Sequence, residues 1–222
     1  MQIPTAPYTD QYPQWPRSGR HILAHYDDET IIVYQAYSLQ IGRFALEYGC
    51  FGGPFSYSRM SWIKPNFLWM MYRSDWGRAL NQETILTIRL RRAFFDSILA
   101  QAVASSFVPE LYPSHEAWQA AVRGSSVRLQ WDPDHLPSGE PCERRAIQLG
   151  LRGEVLDAYG KREAMEIIDM TDFVANQRAH LNAWRTPGLL LMPIERAYRP
   201  IVPEVPARIG LDLGSGETRR DP

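Results

Sequence analysis

Residues 56–77 read SYSRMSWIKPNFLWMMYRSDWG. Tyr57, Trp62, Phe67, Trp69, Tyr72 and Trp76 crowd this stretch beside Arg59, Lys64 and Arg73. Proline is tolerated at the first helical position, where its missing N–H would be unpaired anyway. Pro65 therefore predicts a helix over residues 65–74, fed by a strand end or turn at residues 61–64. Phe67, Leu68, Trp69, Met70, Met71 and Tyr72 are consecutive and apolar, and a helix apolar all round is a buried one. Trp69, Tyr72, Arg73 and Trp76 stand three, four and seven residues apart, which puts them along one side, with Arg73 between two indoles. Two readings follow. One is a core helix whose cations snorkel or pair with Asp75 and Glu83. The other is a pocket wall where aromatics stack on a planar ligand while Arg59, Lys64 and Arg73 hold its anionic groups.

Outward from this stretch, Thr30–Tyr37 (TIIVYQAY) is β-branched and aromatic and predicts a strand after the acidic turn Asp27-Asp28-Glu29. Ser38 is the expected cap of a helix to Tyr48, stopped by Gly49. Residues 84–90 predict a strand and residues 93–104 a helix. Ser114 caps a further helix ending at Gly124. Residues 127–131 and 144–151 predict an antiparallel pair, joined by a proline-studded loop over 132–142. Residues 164–169 suit a strand or a helix equally. Thr171 or Asp172 opens a helix to Ala183, and residues 189–193 form a last short strand. The expected architecture is a single α+β domain over residues 20–199, its sheet split, mostly antiparallel and flanked by helices. Residues 1–19 are expected to be an extended arm lying over the surface, and residues 200–222 a disordered tail.

A chain of 222 residues is long enough to bury a full core. Its net charge of −1 gives no global electrostatic case for duplex nucleic acid or an acidic membrane. Two cysteines, Cys50 and Cys142, make no disulfide framework, and no Cys/His spacing of the zinc kind occurs. No metal is expected. The absence of a signal-like run and of any long apolar segment leads to the expectation of a cytoplasmic protein without membrane contact.

The segment RMSWIKPNFLWMMYRS at residues 59–74 is similar to the hallmark of the family catalogued as domain of unknown function 4291. The upstream pattern fits at Arg20, Ile22, Ala24, Tyr26, Asp27, Asp28, Thr30, Ile31, Val33, Tyr34, Gln35, Ala36 and Tyr37, with Leu23 where that pattern has a second arginine. Gln82 and Glu83 match its Gln-Glu before a strand. The resemblance covers residues 20–192.

At fold level, the order strand, helix, strand, helix, strand also resembles the NAD-binding core of ADP-ribosyltransferases and RNA 2′-phosphotransferases. That resemblance implies an NAD-dependent, ADP-ribosyltransferase-like activity on a nucleic acid or other acceptor. Gln35 on the first strand and Glu83 on the third would be its catalytic residues. Arg59 and Lys64 would pair with the diphosphate and Trp62 or Tyr72 would stack on a ring, in a cleft that includes Tyr37 and Arg73. The alternative is a non-catalytic module that binds a nucleotide or single-stranded nucleic acid by the same stacking and phosphate contacts.

Overall fold

A strand buried at successive residues, as Thr30–Tyr37 is over residues 30–35, needs cover on both faces. The computed structural model describes residues 3–212. Along them the strands are β1 (Thr5–Pro7), β2 (Gly19–Arg20), β3 (Ile22–Ala24), β4 (Thr30–Tyr37), β5 (Ser61–Ile63) and β6 (Thr84–Arg91), followed by β7 (Val103–Ala104), β8 (Val127–His135), β9 (Pro141–Leu151), β10 (Ala164–Asp169), β11 (Leu191–Pro193) and β12 (Arg196–Tyr198). The helices are α1 (Tyr8–Gln11), α2 (Leu39–Tyr48), α3 (Phe67–Ser74), α4 (Arg92–Gln101), α5 (His115–Gly124), α6 (Gly153–Ala158), α7 (Thr171–Arg178) and α8 (Val205–Ile209). No helix among the described residues is long and apolar enough to cross a membrane.

The fold is α+β, with its sheet in parts. β4 pairs antiparallel with β6 without a register shift, from Thr30↔Arg91 to Tyr37↔Thr84, and β10 covers the other edge of β6. A second sheet is built on the long β8–β9 hairpin, where β5 and β2 pair with β9 and β7 pairs with β8. The β2–β9 and β7–β8 pairings are parallel, and the other named strand pairings are antiparallel. The two sheets meet at a bridge between Tyr34 and Lys64, whose backbones exchange hydrogen bonds of 2.7 and 3.3 Å. Pleating sends alternate β4 side chains into different cores. Ile31 and Val33 join the cluster containing Ile88, Leu90 and Phe95, while Ile32 and Tyr34 join Phe67, Met71 and Val174. β10 resolves the open choice at residues 164–169 in favour of a strand.

Several boundaries differ from expectation for physical reasons. α3 starts at Phe67, because Asn66 is the cap: its side chain accepts from Trp69 N at 2.6 Å, leaving Pro65 outside the helix. The chain at residues 132–135 and 141–143 is strand, so the expected loop over 132–142 shrinks to residues 136–140. The helix expected over 93–104 ends at Gln101 and gives way to β7, and α7 stops at Arg178 before a short 3-10 turn at Leu181–Ala183.

The N-terminal arm is part of the core, not a surface strap. Tyr8 and Trp15 are buried, β1 pairs with β11, and Trp15 Nε1 donates to Glu195 O at 2.9 Å. The tail expectation is corrected over its first part: α8 forms with Pro206 in its first turn, and Val205, Ile209 and Leu211 enter the core. The rest of that expectation, residues 213–222, lies outside the described residues.

Arg144 on β9 locks the arm to the second sheet. It is 2% exposed and faces Asp134 at 1%. Its Nε and Nη2 donate to Asp134 Oδ2 at 2.8 and 2.5 Å, and Nη1 donates to Pro16 O at 2.6 Å. Trp15 lies against the guanidinium, 5.3 Å from its ring centroid. Removing one partner of such a pair leaves a buried uncompensated charge, so Asp134→Ala should lower stability by about 3–5 kcal/mol. Urea unfolding measures this, and replacing Asp134 and Arg144 together by Leu and Met should recover most of the loss.

Candidate functional site

Where the two sheets part beyond the Tyr34–Lys64 bridge, they leave a cavity of about 670 Å³. β4 contributes Gln35 and Tyr37, β5 contributes Ser61 and Trp62, and β8 and β9 contribute Gln130 and Gln148. Of the eight residues expected to act, six line it: Gln35, Tyr37, Arg59, Trp62, Lys64 and Arg73. Tyr72 and Glu83 do not.

Three cations converge here without a carboxylate among the lining residues. Elsewhere Arg78, Arg89, Arg91 and Arg144 each pair with an acid. The side chains of Arg59, Lys64 and Arg73 make no hydrogen bond or ion pair with the described residues. Arg59 and Arg73 are exposed, but Lys64 is only 5% exposed. Its backbone is fixed by the bridge to Tyr34, so the side chain cannot withdraw. Burial pushes the Lys64 ammonium down to about 8, the nearby Arg73 charge pushes the same way, and Asp132 opposes both. Asp132 is itself raised above the usual carboxylate range by burial, against a hydrogen bond from Gln148 and the Lys64 charge.

Arg73 does not lie between two indoles. The helix ends at Ser74, and Asp75 and Trp76 take left-handed backbone conformations with φ of 49° and 53°. Helical spacing therefore stops short of Trp76, which turns inward against Phe67 with ring centroids 6.0 Å apart. Tyr72 stacks on His135 at 3.4 Å and Trp69 stacks beside both, at 5.5 Å from Tyr72 and 5.3 Å from His135. This stack ties α3 to the end of β8. His135 is buried, and burial lowers its basicity despite Asp134 and Asp132 nearby. Tyr72 thus serves a packing role away from the cavity.

Gln35 is a hub, not a free catalytic group. Its Oε1 accepts from Tyr159 OH at 2.6 Å. Its Nε2 lies within donating reach of Tyr37 OH, Ser61 Oγ and Trp62 O at 2.8, 2.9 and 3.1 Å. Tyr37 OH and Ser61 Oγ are 2.5 Å apart, so one donates to the other. One hydroxyl proton of this pair is then left over, and both residues line the cavity, so the network presents it a single donor. Burial raises the phenols of Tyr37 and Tyr159 far above their ordinary value and keeps both protonated.

Glu83 is occupied elsewhere. Its Oε1 accepts from Asn81 N at 2.9 Å and holds the turn before β6, where Asn81 has φ of 62°. Asn81 and Gln82 reach the cavity instead. Sequence reasoning missed Gln130 and Gln148, which sit directly opposite each other on β8 and β9. Gln148 Nε2 donates to Asp132 Oδ2 at 2.7 Å and to Gln130 Oε1 at 3.3 Å. That fixes both amides, leaving Gln148 Oε1 as an acceptor and Gln130 Nε2 as a donor. The signal was there: each glutamine is a polar position inside an otherwise apolar strand run, Leu129-Gln130-Trp131 and Ile147-Gln148-Leu149. Among the described residues no group of three or more His, Cys, Asp or Glu is arranged to hold a metal ion.

Residues 21–198 match the family described as Domain of unknown function (DUF4291), and the chain belongs to that family. No curated protein matches it.

Gln35→Leu should strand the Tyr159 hydroxyl in the core and release Tyr37 and Ser61. A stability loss of roughly 2 kcal/mol or more is expected by urea unfolding. Ser61→Ala, which leaves Gln35 its bonds to Tyr159, Tyr37 and Trp62, should cost less than half as much.

Proposed function

We propose that this member of the DUF4291 family binds a nucleotide in the cavity between its two sheets. The observation that carries this reading is the set of three cations lining one cavity with no ion pair to the described residues, Asp132 acting on Lys64 only from a distance. A phosphate or diphosphate would supply the missing negative charge. The guanidiniums of Arg59 and Arg73 suit bidentate contact with phosphate oxygens, and the Lys64 ammonium acts as a point charge behind them. Trp62 and Tyr37 offer aromatic surface on the same walls. The fixed Gln130 donor and Gln148 acceptor would read the polar edge of a base or of a carboxamide such as nicotinamide. A volume of about 670 Å³ falls in the range of small-molecule sites and suits a mononucleotide or a folded dinucleotide such as NAD.

Binding is favoured over ADP-ribosyl transfer on one specific ground. Transfer of that kind asks for a carboxylate beside the nicotinamide ribose. Among the described residues no carboxylate lines the cavity, and the Glu83 carboxylate is turned to Asn81 N.

Calorimetry with purified protein tests the proposal against ATP, NAD and a short single-stranded RNA and DNA. ATP or NAD should bind. Arg59→Ala and Arg73→Ala should each weaken binding by about tenfold or more, the scale of a lost charge-assisted hydrogen bond. Glu83→Gln should leave affinity unchanged. Binding of none of the four would overturn the proposal, and binding of oligonucleotide alone would replace the nucleotide by a single strand.

Affinity should also depend on pH. Lys64 is charged below its value of about 8 and neutral above it, so phosphate binding should weaken as pH rises through that point. Lys64→Met should bind more weakly at pH 7 and lose that step.

A further inference from the structure

The chain uses arginine almost wherever it needs a cation: of its 24 basic residues, 22 are arginine and only Lys64 and Lys161 are lysine. Lys161 is half-exposed and salt-bridged to Asp157 at 2.6 Å. Lys64 stands on the wall of the cavity, nearly buried, with no hydrogen-bond partner for its amine among the described residues and with Arg73 as a like-charged neighbour. An arginine would hold phosphate there with more contacts and no risk of losing its charge. What lysine has and arginine lacks is a primary amine that can shed its proton and attack carbon.

We infer that Lys64 forms a reversible imine with a reducing sugar that carries a phosphate or a nucleoside diphosphate. The inference rests on the phosphate-holding role given above to Arg59 and Arg73, and it narrows the ligand to one with a carbonyl in its open-chain form. The neutral amine attacks the carbonyl carbon, forming a C–N bond while the carbonyl electron pair moves to oxygen. Proton transfer from nitrogen to that oxygen gives the carbinolamine. Loss of water then leaves C=N, with both amine hydrogens and the carbonyl oxygen in the departing water. No oxidant or reductant enters. Departure of water needs a proton delivered to the hydroxyl; the Tyr37–Ser61 hydroxyl pair, both of whose residues line the cavity, would give one and take back the last amine proton, so the pair ends unchanged and the net water carries both amine hydrogens.

Surroundings favour the neutral amine. The charged groups that face Lys64 are Arg73 on α3 and Asp132 on β8, with Arg59 on the approach to β5. Burial and Arg73 outweigh Asp132 and bring the amine to about 8 from an ordinary 10.5. At neutral pH the free-amine fraction is then roughly two orders of magnitude above that of an ordinary lysine.

The test is reductive trapping on the full chain. The protein is incubated with ribose 5-phosphate or ADP-ribose and cyanoborohydride, and adducts are located by peptide mapping. The mapping separates Lys64 from Lys161 and from the α-amino group. A weaker base is also a weaker nucleophile, so Lys64 should label about tenfold or more faster than Lys161. Its rate should rise with pH through about 8. Unphosphorylated ribose should label it far more slowly, and inorganic pyrophosphate should slow the reaction. Equal rates at Lys64 and Lys161, or equal labelling by ribose and ribose 5-phosphate, would overturn the inference. Calorimetry with pyrophosphate separates the two ideas. Pyrophosphate binding without selective Lys64 labelling sinks the imine and leaves the phosphate site standing. Selective labelling with no affinity for ATP or NAD keeps the imine and removes the nucleotide. Lys64→Arg should abolish the adduct, and the wild-type comparison of the two lysines stands even if that variant folds poorly.

Discussion

The exchange of backbone hydrogen bonds between Tyr34 and Lys64 is the constraint on which the remaining structure depends. It is the point at which the β4–β6–β10 sheet touches the sheet built on the β8–β9 hairpin. One residue before it on β5, Ile63 is already paired with Leu149. One residue after Tyr34, Gln35 begins the divergence that opens the cavity. Immediately after Lys64, Pro65 cannot donate to a ladder and Asn66 caps α3. That ends the ladder on the Val33 side of the antiparallel bridge. On the other side Gln35, Ala36 and Tyr37 would face Ile63, Trp62 and Ser61, whose backbones are already paired with β9, and there β4 and β5 part and line the cavity, with Lys64 the one buried cation among its lining residues.

Gln35 shows how a polar residue can sit inside an apolar strand without weakening it. Both polar atoms of its amide are engaged, by a phenol from the α6 side, two hydroxyls and a backbone carbonyl. The partners lie on β4 itself, on β5 and at Tyr159, so the amide aligns β4 with β5 and with Tyr159 at once. A buried amide with this many partners narrows the arrangements available to the cavity wall. Its role is positional, and the hydroxyl pair it supports is what a ligand would meet.

Much of the fold was legible, because local physics decided it. Ser38 and Gly49 bracket α2 at the expected residues, with Gly49 in the left-handed conformation that a side chain disfavours. Thr30–Tyr37 is a strand to the residue. The site was legible as a neighbourhood: the aromatic and cationic crowding of residues 56–77 does mark the cavity wall. Individual roles were not, since they depend on chain reversals that spacing cannot report. Trp76 follows a helix end and leaves the face it would share with Trp69. Glu83 is captured by a turn two residues upstream. Gln130 and Gln148 come from a hairpin more than 45 residues away from the motif, and only pairing across the split sheet brings them to it. The N-terminal arm reads as a proline-broken extension, yet Tyr8 and Trp15 fill a core that α3 and β11 leave open.

The cation cluster also makes sense as an energetic design. Three like charges around one cavity, one of them buried, oppose folding. The fold tolerates this because the buried Arg144 has each guanidinium nitrogen donating to Asp134 or Pro16 and because two apolar cores flank β4. On the proposed reading, an anion entering the cavity would remove that opposition, and its binding would stabilise the fold. Such an arrangement is poorly explained as packing alone. A core helix needs no cations on its rim, and an acid at Gln148 or Gln82 would have neutralised them. That the chain instead places neutral amides there, with their polarity fixed by Asp132, keeps the charge available to a ligand.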